Sequence, residues 1–151
     1  MAQVKIEDIK KLREMTAAGV ADCREALEET NGDLKAAAEI LRKKGIEKAA
    51  KKAEREVKAG KVFSYVHHTG RLGVLVSLAC ETDFVAKTDD FGKLGRELAL
   101  QVAAAQPENV EALLKQEYIR DASKTVAELV KETIGKLGEN IQVVDFKIVT
   151  V

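Results

Sequence analysis

The fold is organised around residues 73–87, which have the sequence GVLVSLACETDFVAK. The first eight form an apolar run of the kind that predicts a buried strand. Thr82 predicts a helix N-cap, because its hydroxyl can accept a hydrogen bond from a free amide of the first turn, and the helix dipole favours Asp83 there. The segment therefore predicts a strand that passes into a helix, with Phe84 in the first turn. From the residues alone we favour a buried Phe84, since most large apolar side chains lie in the core.

The composition is typical of a helix-rich globular protein, with 151 residues of which 46% are hydrophobic and 33% charged. This length suits one ordinary domain, or a small module joined to a compact core. No apolar run approaches the roughly 20 residues of a membrane span, and the N-terminus lacks a signal-peptide pattern, so we expect a cytoplasmic protein without a membrane segment. Cys23 and Cys80 lie in apolar patterns, which favours buried free thiols over a disulfide or a metal site.

The formal net charge is zero, but one segment is strongly basic. From Arg42 to Lys61 the chain has nine basic and three acidic residues. Such a run can bind nucleic acid, but no aromatic residue interleaves this one to stack on bases. A solvated helix or linker is therefore the better interpretation, and we expect no direct binding of nucleic acid.

Residues 1–55 are predicted to form a helical module. The first helix ends near Gly19, which tolerates a turn, and the second ends at residues 31–32. Asp33 caps the third, and Gly45 closes it as a left-handed C-cap. The residues at helical spacing are Ile6, Ile9, Leu12, Met15, Val20, Cys23, Ala26, Leu27, Leu34, Ala37, Ala38 and Leu41. Because so small a core is marginal alone, we expect the module to serve as a docking surface.

Residues 46–60 are rich in Ala, Lys and Glu, which predicts a connecting helix that ends at Gly60. With few apolar residues, this helix would hold the module at a distance from the rest of the chain.

Residues 56–151 are predicted to form an α+β core. Residues 62–68 and 72–79 are rich in β-branched and aromatic residues, and the short segment between them suits the loop of an antiparallel hairpin. The last segment, residues 141–151, also has strand character and is expected to pair with the hairpin. The result is a three-stranded antiparallel sheet.

Three helices of the core are predicted between the Thr82 turn and the last strand. One runs from about Asp90 to Ala105, a short one starts at Pro107, and the third is capped by Ser123 and ends at Gly138. We expect them to cover one face of the sheet.

Nothing in the sequence predicts an enzyme. It has no glycine-rich phosphate loop and no histidines at metal-ligand spacing, since His67 and His68 are adjacent and would face opposite sides of a strand. Cys80 with either histidine is the best available nucleophile and base, but a thiol at the end of a buried strand is usually inert. We therefore expect no catalysis, no cofactor and no bound metal.

Three stretches carry a resemblance to a known family. They are residues 12–27, LREMTAAGVADCREAL; residues 81–87, ETDFVAK; and residues 136–141, KLGENI, linked by AAKKA at residues 49–53. Together they resemble the bacterial elongation factor Ts family, whose members are guanine-nucleotide exchange factors for elongation factor Tu. The resemblance covers nearly the whole chain.

The resemblance implies how such a protein binds elongation factor Tu. It implies a ubiquitin-associated-like module over residues 1–55 that docks on the partner's nucleotide domain, and Phe84, helped by Asp83, that wedges between helices near the magnesium site. This reverses the expectation for Phe84, which becomes a surface residue. The positions that match the family's binding residues are Thr82, Asp83, Phe84, Val85, Arg13, Val20 and Ala21.

Two departures from the family pattern shape the remaining expectations. Many members have a core of two similar halves, whereas this chain has one, so we expect a homodimer that covers the exposed sheet. Val144 and Asp145 stand before Phe146, where the family commonly has a basic pair.

Two alternatives to the exchange function remain. One is a non-exchanging adaptor that uses the helical module, and the other is salt-sensitive RNA binding through residues 42–61.

Overall fold

Three helices form the N-terminal module of the computed structural model, which describes residues 3–151. They are α1 (Ile6–Thr16), α2 (Val20–Glu29) and α3 (Leu34–Ala50). The module has a small core of its own, separate from the core under the sheet. Its buried residues are Leu12, Cys23, Ala26, Leu27, Ala37 and Leu41.

The predicted caps of the module are partly correct. Asp33 caps α3 by accepting hydrogen bonds from two amides of the first turn, as expected. The turn between α1 and α2, however, is made by Ala17, whose φ is 53° and whose N–H bonds the carbonyl of Arg13. Gly19 instead lies in extended backbone with a φ of −63° as the N-cap of α2, so the role predicted for Gly19 is wrong.

Helix α3 does not stop at Gly45. It continues to Ala50, so the predicted C-cap is wrong, and the predicted connecting helix exists only as these last residues of α3. The physical reason is tertiary: Gly45 lies where α3 crosses a later helix at Gly135, and a Cβ on Gly135 would come within 2.7 Å of the Gly45 Cα. The module therefore packs directly on the core, and Gly60, predicted to be the boundary, lies inside the first strand.

A three-stranded antiparallel sheet forms the centre of the core, which confirms the predicted α+β class. Its strands are β1 (Ala59–Val66), β2 (Leu72–Cys80) and β5 (Ile141–Thr150), in the order β1-β2-β5. Alternate residues of β2 are buried, and helices cover this face. The buried β2 residues are Val74, Val76, Leu78 and Cys80.

The helices of the core are α4 (Asp83–Ala86), α5 (Asp89–Ala105), α6 (Val110–Lys115) and α7 (Val126–Leu137). Two predicted starts are wrong. Helix α6 is capped by Asn109 rather than started by Pro107. Helix α7 is capped by Thr125, whose hydroxyl and backbone N–H form a reciprocal capping box with Glu128, whereas Ser123 lies in a strand.

A second, two-stranded sheet was not predicted. It consists of β3 (Glu117–Tyr118) and β4 (Asp121–Thr125). The buried amide of Gln101 on α5 holds it: Nε2 donates to the carbonyl of Glu117 at 3.1 Å, and Oε1 accepts from the N–H of Ile119 at 2.9 Å. Strands this short have no recognisable period, so their position depends on this tertiary contact.

Charged residues reinforce the contacts that α7 makes with α3 and with β4. Arg42 Nη1 lies 3.3 Å from Glu132 Oε1, and Lys124 Nζ lies 2.9 Å from Glu132 Oε2.

Within residues 3–151, none of the helices is both long and apolar enough to cross a membrane.

Candidate functional site

Phe84 is the most conspicuous apolar side chain on the surface of the core, with 86% of it exposed. It belongs to α4, a single helical turn of four residues between β2 and α5. The next two residues, Val85 and Ala86, are buried in the core under the sheet. The turn therefore points inward through Val85 and Ala86 and outward through Phe84, contrary to the core position that the residues alone favoured.

Thr82 is the N-cap of this turn, as the sequence predicts. Its Oγ1 accepts a hydrogen bond from the N–H of Val85 at 3.4 Å. Exposed Asp83 follows, with its carboxylate in the first turn where the helix dipole favours a negative charge. Of the predicted binding residues on this turn, Asp83 and Phe84 are therefore accessible to a partner, whereas Val85 lies below the surface and supports the turn.

The carboxylate of Glu139 holds Thr82 from a distant part of the chain. The Thr82 N–H donates to Glu139 Oε1 at 2.9 Å, and the Thr82 hydroxyl donates to Oε2 at 2.7 Å. Both donors of one residue are thus bound by one side chain. Hydrogen bonds to a carboxylate are stronger than those between neutral groups.

A reciprocal contact lies beside this one. The N–H of Asn140 donates to Glu81 Oε1 at 2.8 Å. Glu81 and Glu139 therefore each accept a backbone hydrogen bond from the residue that follows the other in the chain. The side-chain amide of buried Asn140 donates to the carbonyl of Arg55 at 2.8 Å, and Arg55 Nη1 lies 3.6 Å from Glu81. The end of the N-terminal module, the Phe84 turn and the loop before β5 therefore meet at one place.

Local sequence reasoning missed Glu139 and Asn140, although the stretch KLGENI was noted for its resemblance. Thr82 and Glu139, which are joined by these hydrogen bonds, are 57 positions apart. No spacing rule connects residues so distant, so the available signal was that a glutamate begins the stretch ETDFVAK and another lies within the stretch KLGENI.

The second predicted set of binding residues lies around the turn between α1 and α2. Arg13, Val20 and Ala21 are all exposed. The Arg13 Nε donates to the carbonyl of Ala18 at 3.3 Å, which fixes its stem against the turn. Met15, which helical spacing suggested for the module core, is instead 57% exposed, and Val20 at the start of α2 is 53% exposed. This turn is thus a small apolar surface on the module, separate in the chain from the Phe84 turn.

Cys80 and the two histidines do not form a catalytic pair. Burial raises the pKa of the Cys80 thiol, and the nearby charge of Glu139 raises it further. His67 lies at the opposite end of the hairpin, where its backbone N–H donates a hydrogen bond to the carbonyl of Leu72. Because β1 ends at Val66, His67 and His68 lie outside the strand and their rings approach to 4.1 Å between centroids, so the prediction that they face opposite sides is wrong.

Carboxylates neutralise much of the basic segment between residues 42 and 61. Five of its nine basic residues lie within 4.0 Å of an acidic side chain: Arg42, Lys44, Lys48, Arg55 and Lys58. Several of these partners come from other elements, such as Glu25 on α2 for Lys44. The segment therefore presents less free positive charge than its sequence suggests.

A cleft of about 640 Å³ lies between the module and the core. Its charged side chains include paired ones, such as Lys48 with Asp22 at 3.3 Å. The lining that the structure describes contains neither His nor Cys. No group of three or more His, Cys, Asp or Glu side chains in residues 3–151 is arranged to hold a metal ion. The Phe84 turn, rather than this cleft, is the better candidate for a functional site.

Comparison with known proteins gives a consistent result. A family model described as Elongation factor TS matches residues 81–151, which include the Phe84 turn and Glu139. Elongation factor Ts of Fervidobacterium nodosum is 41% identical over 189 residues, covering 95% of this chain and 96% of the relative. The Thermotoga maritima protein of the same name is 43% identical, covering 95% of this chain and 94% of the relative.

The relatives differ from this chain in length. The alignment with the Fervidobacterium protein spans 189 residues, which exceeds the 151 of this chain, so that relative has segments with no counterpart here. Elongation factor Ts of a Nostoc species is 48% identical over 143 residues, which cover 95% of this chain but only 45% of that protein.

Proposed function

This chain belongs to the elongation factor Ts family, and on that premise we propose that it acts in translation elongation as the guanine-nucleotide exchange factor of elongation factor Tu. It binds elongation factor Tu with GDP and promotes GDP release, after which GTP can bind. The observation that carries the proposal is Phe84, which is 86% exposed on a turn whose neighbouring residues are buried or hydrogen-bonded. The protein itself catalyses no chemical reaction and needs no cofactor.

The mechanism depends on how a GTPase holds its nucleotide. The diphosphate is bound by backbone amides and a magnesium ion, and both need close geometry, so a small displacement of the surrounding helices weakens binding sharply. An exchange protein that binds the GTPase with displaced helices more tightly than the nucleotide-bound GTPase lowers the nucleotide affinity by the same ratio. A rigid aromatic side chain such as Phe84 suits insertion between helices, and Asp83 beside it supplies a charge for the rim of the contact.

The turn between α1 and α2 provides a second contact with elongation factor Tu. Arg13, Val20 and Ala21 are accessible there, and exposed Met15 extends the apolar surface. In this proposal the module supplies the affinity for elongation factor Tu, whereas Phe84 displaces the helices around its nucleotide. Thr82 and Val85 act from behind the contact by holding the turn.

A homodimer is part of the proposal. The face of the sheet opposite the helices carries an apolar surface, which we call the open sheet face, formed by Val62, Val66, Leu75 and Val149, each between 50 and 69% exposed. Gly73 pairs with both Val66 and Val149, so these two valines lie in one cross-strand row on either side of Gly73, and Leu75 is two residues further along β2 on the same face. A second copy of this chain would cover the surface.

Light scattering after size-exclusion chromatography should give a dimer for the wild type and a monomer for Leu75→Lys. A monomeric wild type would contradict this part of the proposal.

The cellular setting follows from the proposed partner. Elongation factor Tu works in the cytoplasm, and neither a membrane nor a nucleic acid takes part in the proposed contact. The carboxylate partners of the basic segment support the absence of RNA binding.

The decisive experiment is stopped-flow release of a fluorescent GDP from elongation factor Tu, with the wild type, Phe84→Ala and the control Ile119→Ala. Ile119 is also a large exposed apolar residue, at 50%, but it lies in the turn between β3 and β4. We expect the wild type and the control to accelerate release, and Phe84→Ala to lose at least about 30-fold of that acceleration, as for an interface hot spot of about 2 kcal/mol. A folded wild-type protein that fails to accelerate release would refute the exchange function.

The alternative is a non-exchanging adaptor, which the exposed apolar turn of the module favours. That function predicts binding through Met15 and Val20 to a protein other than elongation factor Tu. A pull-down in which the wild type does not retain elongation factor Tu would support it.

A further inference from the structure

We propose that Glu139 is a positioning residue for Phe84: by binding both donors of Thr82, its carboxylate holds the α4 turn in the orientation that presents the aromatic ring to the partner. The inference rests on the proposed exchange function for its consequence, but its structural part can be tested without the partner. No feature of the residue pattern assigned a role to Glu139.

The α4 turn cannot hold its own orientation. A helix of four residues is far below the length at which helical hydrogen bonding is stable alone. Its direction therefore depends on contacts with the rest of the protein. Such contacts include the burial of Val85 and Ala86 in the core, the hydrogen bond from the Cys80 thiol to the Thr82 carbonyl, and the two hydrogen bonds from Thr82 to Glu139.

The hydrogen bonds of Thr82 define the direction of the turn. Its Oγ1 accepts from the Val85 N–H while its own hydroxyl proton is donated to Glu139. The Thr82 side chain thus lies between the helical turn and the carboxylate, and it cannot rotate without breaking one of these bonds. Because Phe84 follows two residues later on the same turn, the direction of its Cα–Cβ bond is set by this arrangement.

Glu139 is itself held in place on both sides. Gly138 before it ends α7 in a left-handed conformation with a φ of 78°, and its N–H bonds the carbonyl of Ile134. Asn140 after it is buried and bonds Glu81 and the carbonyl of Arg55. A carboxylate that is fixed before the partner binds lowers the entropic cost of ordering the turn during binding.

The charge of Glu139 also argues for this role. Within residues 3–151 it forms no salt bridge, whereas neighbouring Glu81 lies beside Arg55. A partly buried carboxylate without a cationic partner depends on hydrogen-bond donors for its stabilisation, and the donors it has are those of Thr82. The two groups therefore depend on each other.

The first test measures the orientation of Phe84 directly. The chain has four phenylalanines, so a protein labelled with fluorophenylalanine gives four fluorine signals in NMR. In Glu139→Ala we expect the Phe84 signal, identified by its absence in Phe84→Ala, to shift and sharpen as the ring becomes mobile, while the other three stay in place. An unchanged Phe84 signal would overturn the inference, whatever the protein does to elongation factor Tu.

The second test measures GDP release from elongation factor Tu at increasing concentrations of factor. We expect Glu139→Ala to lower the maximum rate by at least about tenfold, which the loss of even one of its two hydrogen bonds to a charged group would give, with little change in the half-saturating concentration because the module still docks. Glu139→Gln keeps one acceptor oxygen and should recover part of the rate. An undiminished maximum rate in Glu139→Ala would overturn the inference.

The matched control is Glu128→Ala. Glu128 accepts a hydrogen bond from the N–H of Thr125 at 3.3 Å in the capping box of α7, so it is also a glutamate that binds a threonine N-cap, but on another helix. Its loss should lower thermal stability without changing the Phe84 signal or the maximum rate. If Glu139→Ala and Glu128→Ala changed the Phe84 signal and the maximum rate equally, Glu139 would only stabilise the fold, and the inference would be overturned. A wild type without exchange activity would refute the proposed function alone, since the NMR test would still decide the role of Glu139.

Discussion

Two glycines at one helix crossing should respond in opposite ways to the same substitution. Gly45 of α3 and Gly135 of α7 face each other where the module packs on the core. A Cβ on Gly135 would lie 2.7 Å from the Cα and 2.8 Å from the carbonyl oxygen of Gly45, and neither backbone atom can move aside by a side-chain rotation. A Cβ on Gly45 would have its nearest neighbour, the Gly135 Cα, at 3.9 Å, which is ordinary van der Waals contact.

The expected magnitudes follow from two opposing effects. Replacing glycine by alanine in a helix interior stabilises by about 0.8–1.0 kcal/mol, because the unfolded chain has less conformational freedom to lose. Overpacking of a close contact costs about 1–3 kcal/mol. Gly45→Ala should therefore raise the free energy of unfolding by roughly 1 kcal/mol, whereas Gly135→Ala should lower it by about 1 kcal/mol, within a range of about 0–2.

Urea denaturation and calorimetry would measure both variants against the wild type. For a chain of this size each kcal/mol corresponds to roughly 2–4 °C in Tm. Small-angle scattering adds a second observable, since the clash in Gly135→Ala can be relieved if the module separates from the core, which would increase the radius of gyration. A stabilised Gly135→Ala protein of unchanged radius would refute the close crossing of α3 and α7.

Three further predictions concern buried polar groups. Burial, and then the hydrogen bond to Glu97, raise the pKa of Tyr118 above its usual 10.0, so the unfolding free energy should fall as the pH rises past this value, and Tyr118→Phe should flatten that fall in urea titrations. Gln101→Leu removes three hydrogen bonds around the second sheet and should lower the unfolding free energy by about 1–3 kcal/mol in the same urea titrations. A urea midpoint equal to that of the wild type would contradict the role of Gln101 in holding this sheet. Burial raises the pKa of the Cys23 and Cys80 thiols, so alkylation at neutral pH should be slow until urea unfolds the protein, and fast labelling of the native protein would contradict their burial.

The sequence by itself determined the elements whose physical cause is local. Asp33 and Thr82 cap their helices through hydrogen bonds to amides two or three residues away, so the residue type and its position were enough to predict them. The three strands of the main sheet were equally predictable, because strand character follows from the local content of β-branched and aromatic residues. The resemblance of three short stretches identified the family, and the comparisons confirm it.

Only the tertiary structure decided the features whose cause is a distant neighbour. Gly45 has the residue type of a helix stop, but α3 continues through it because Gly135 of α7 packs there. The exposure of Phe84 could not follow from its hydrophobicity, since it depends on Val85 and Ala86 filling the core beneath a turn too short to bury a third side chain. The contact between Thr82 and Glu139 joins residues 57 positions apart, and no local pattern specifies such a pair. Hydrogen bonds and packing act across space, whereas propensities act along the chain, and this difference separates what the sequence determined from what the fold decided.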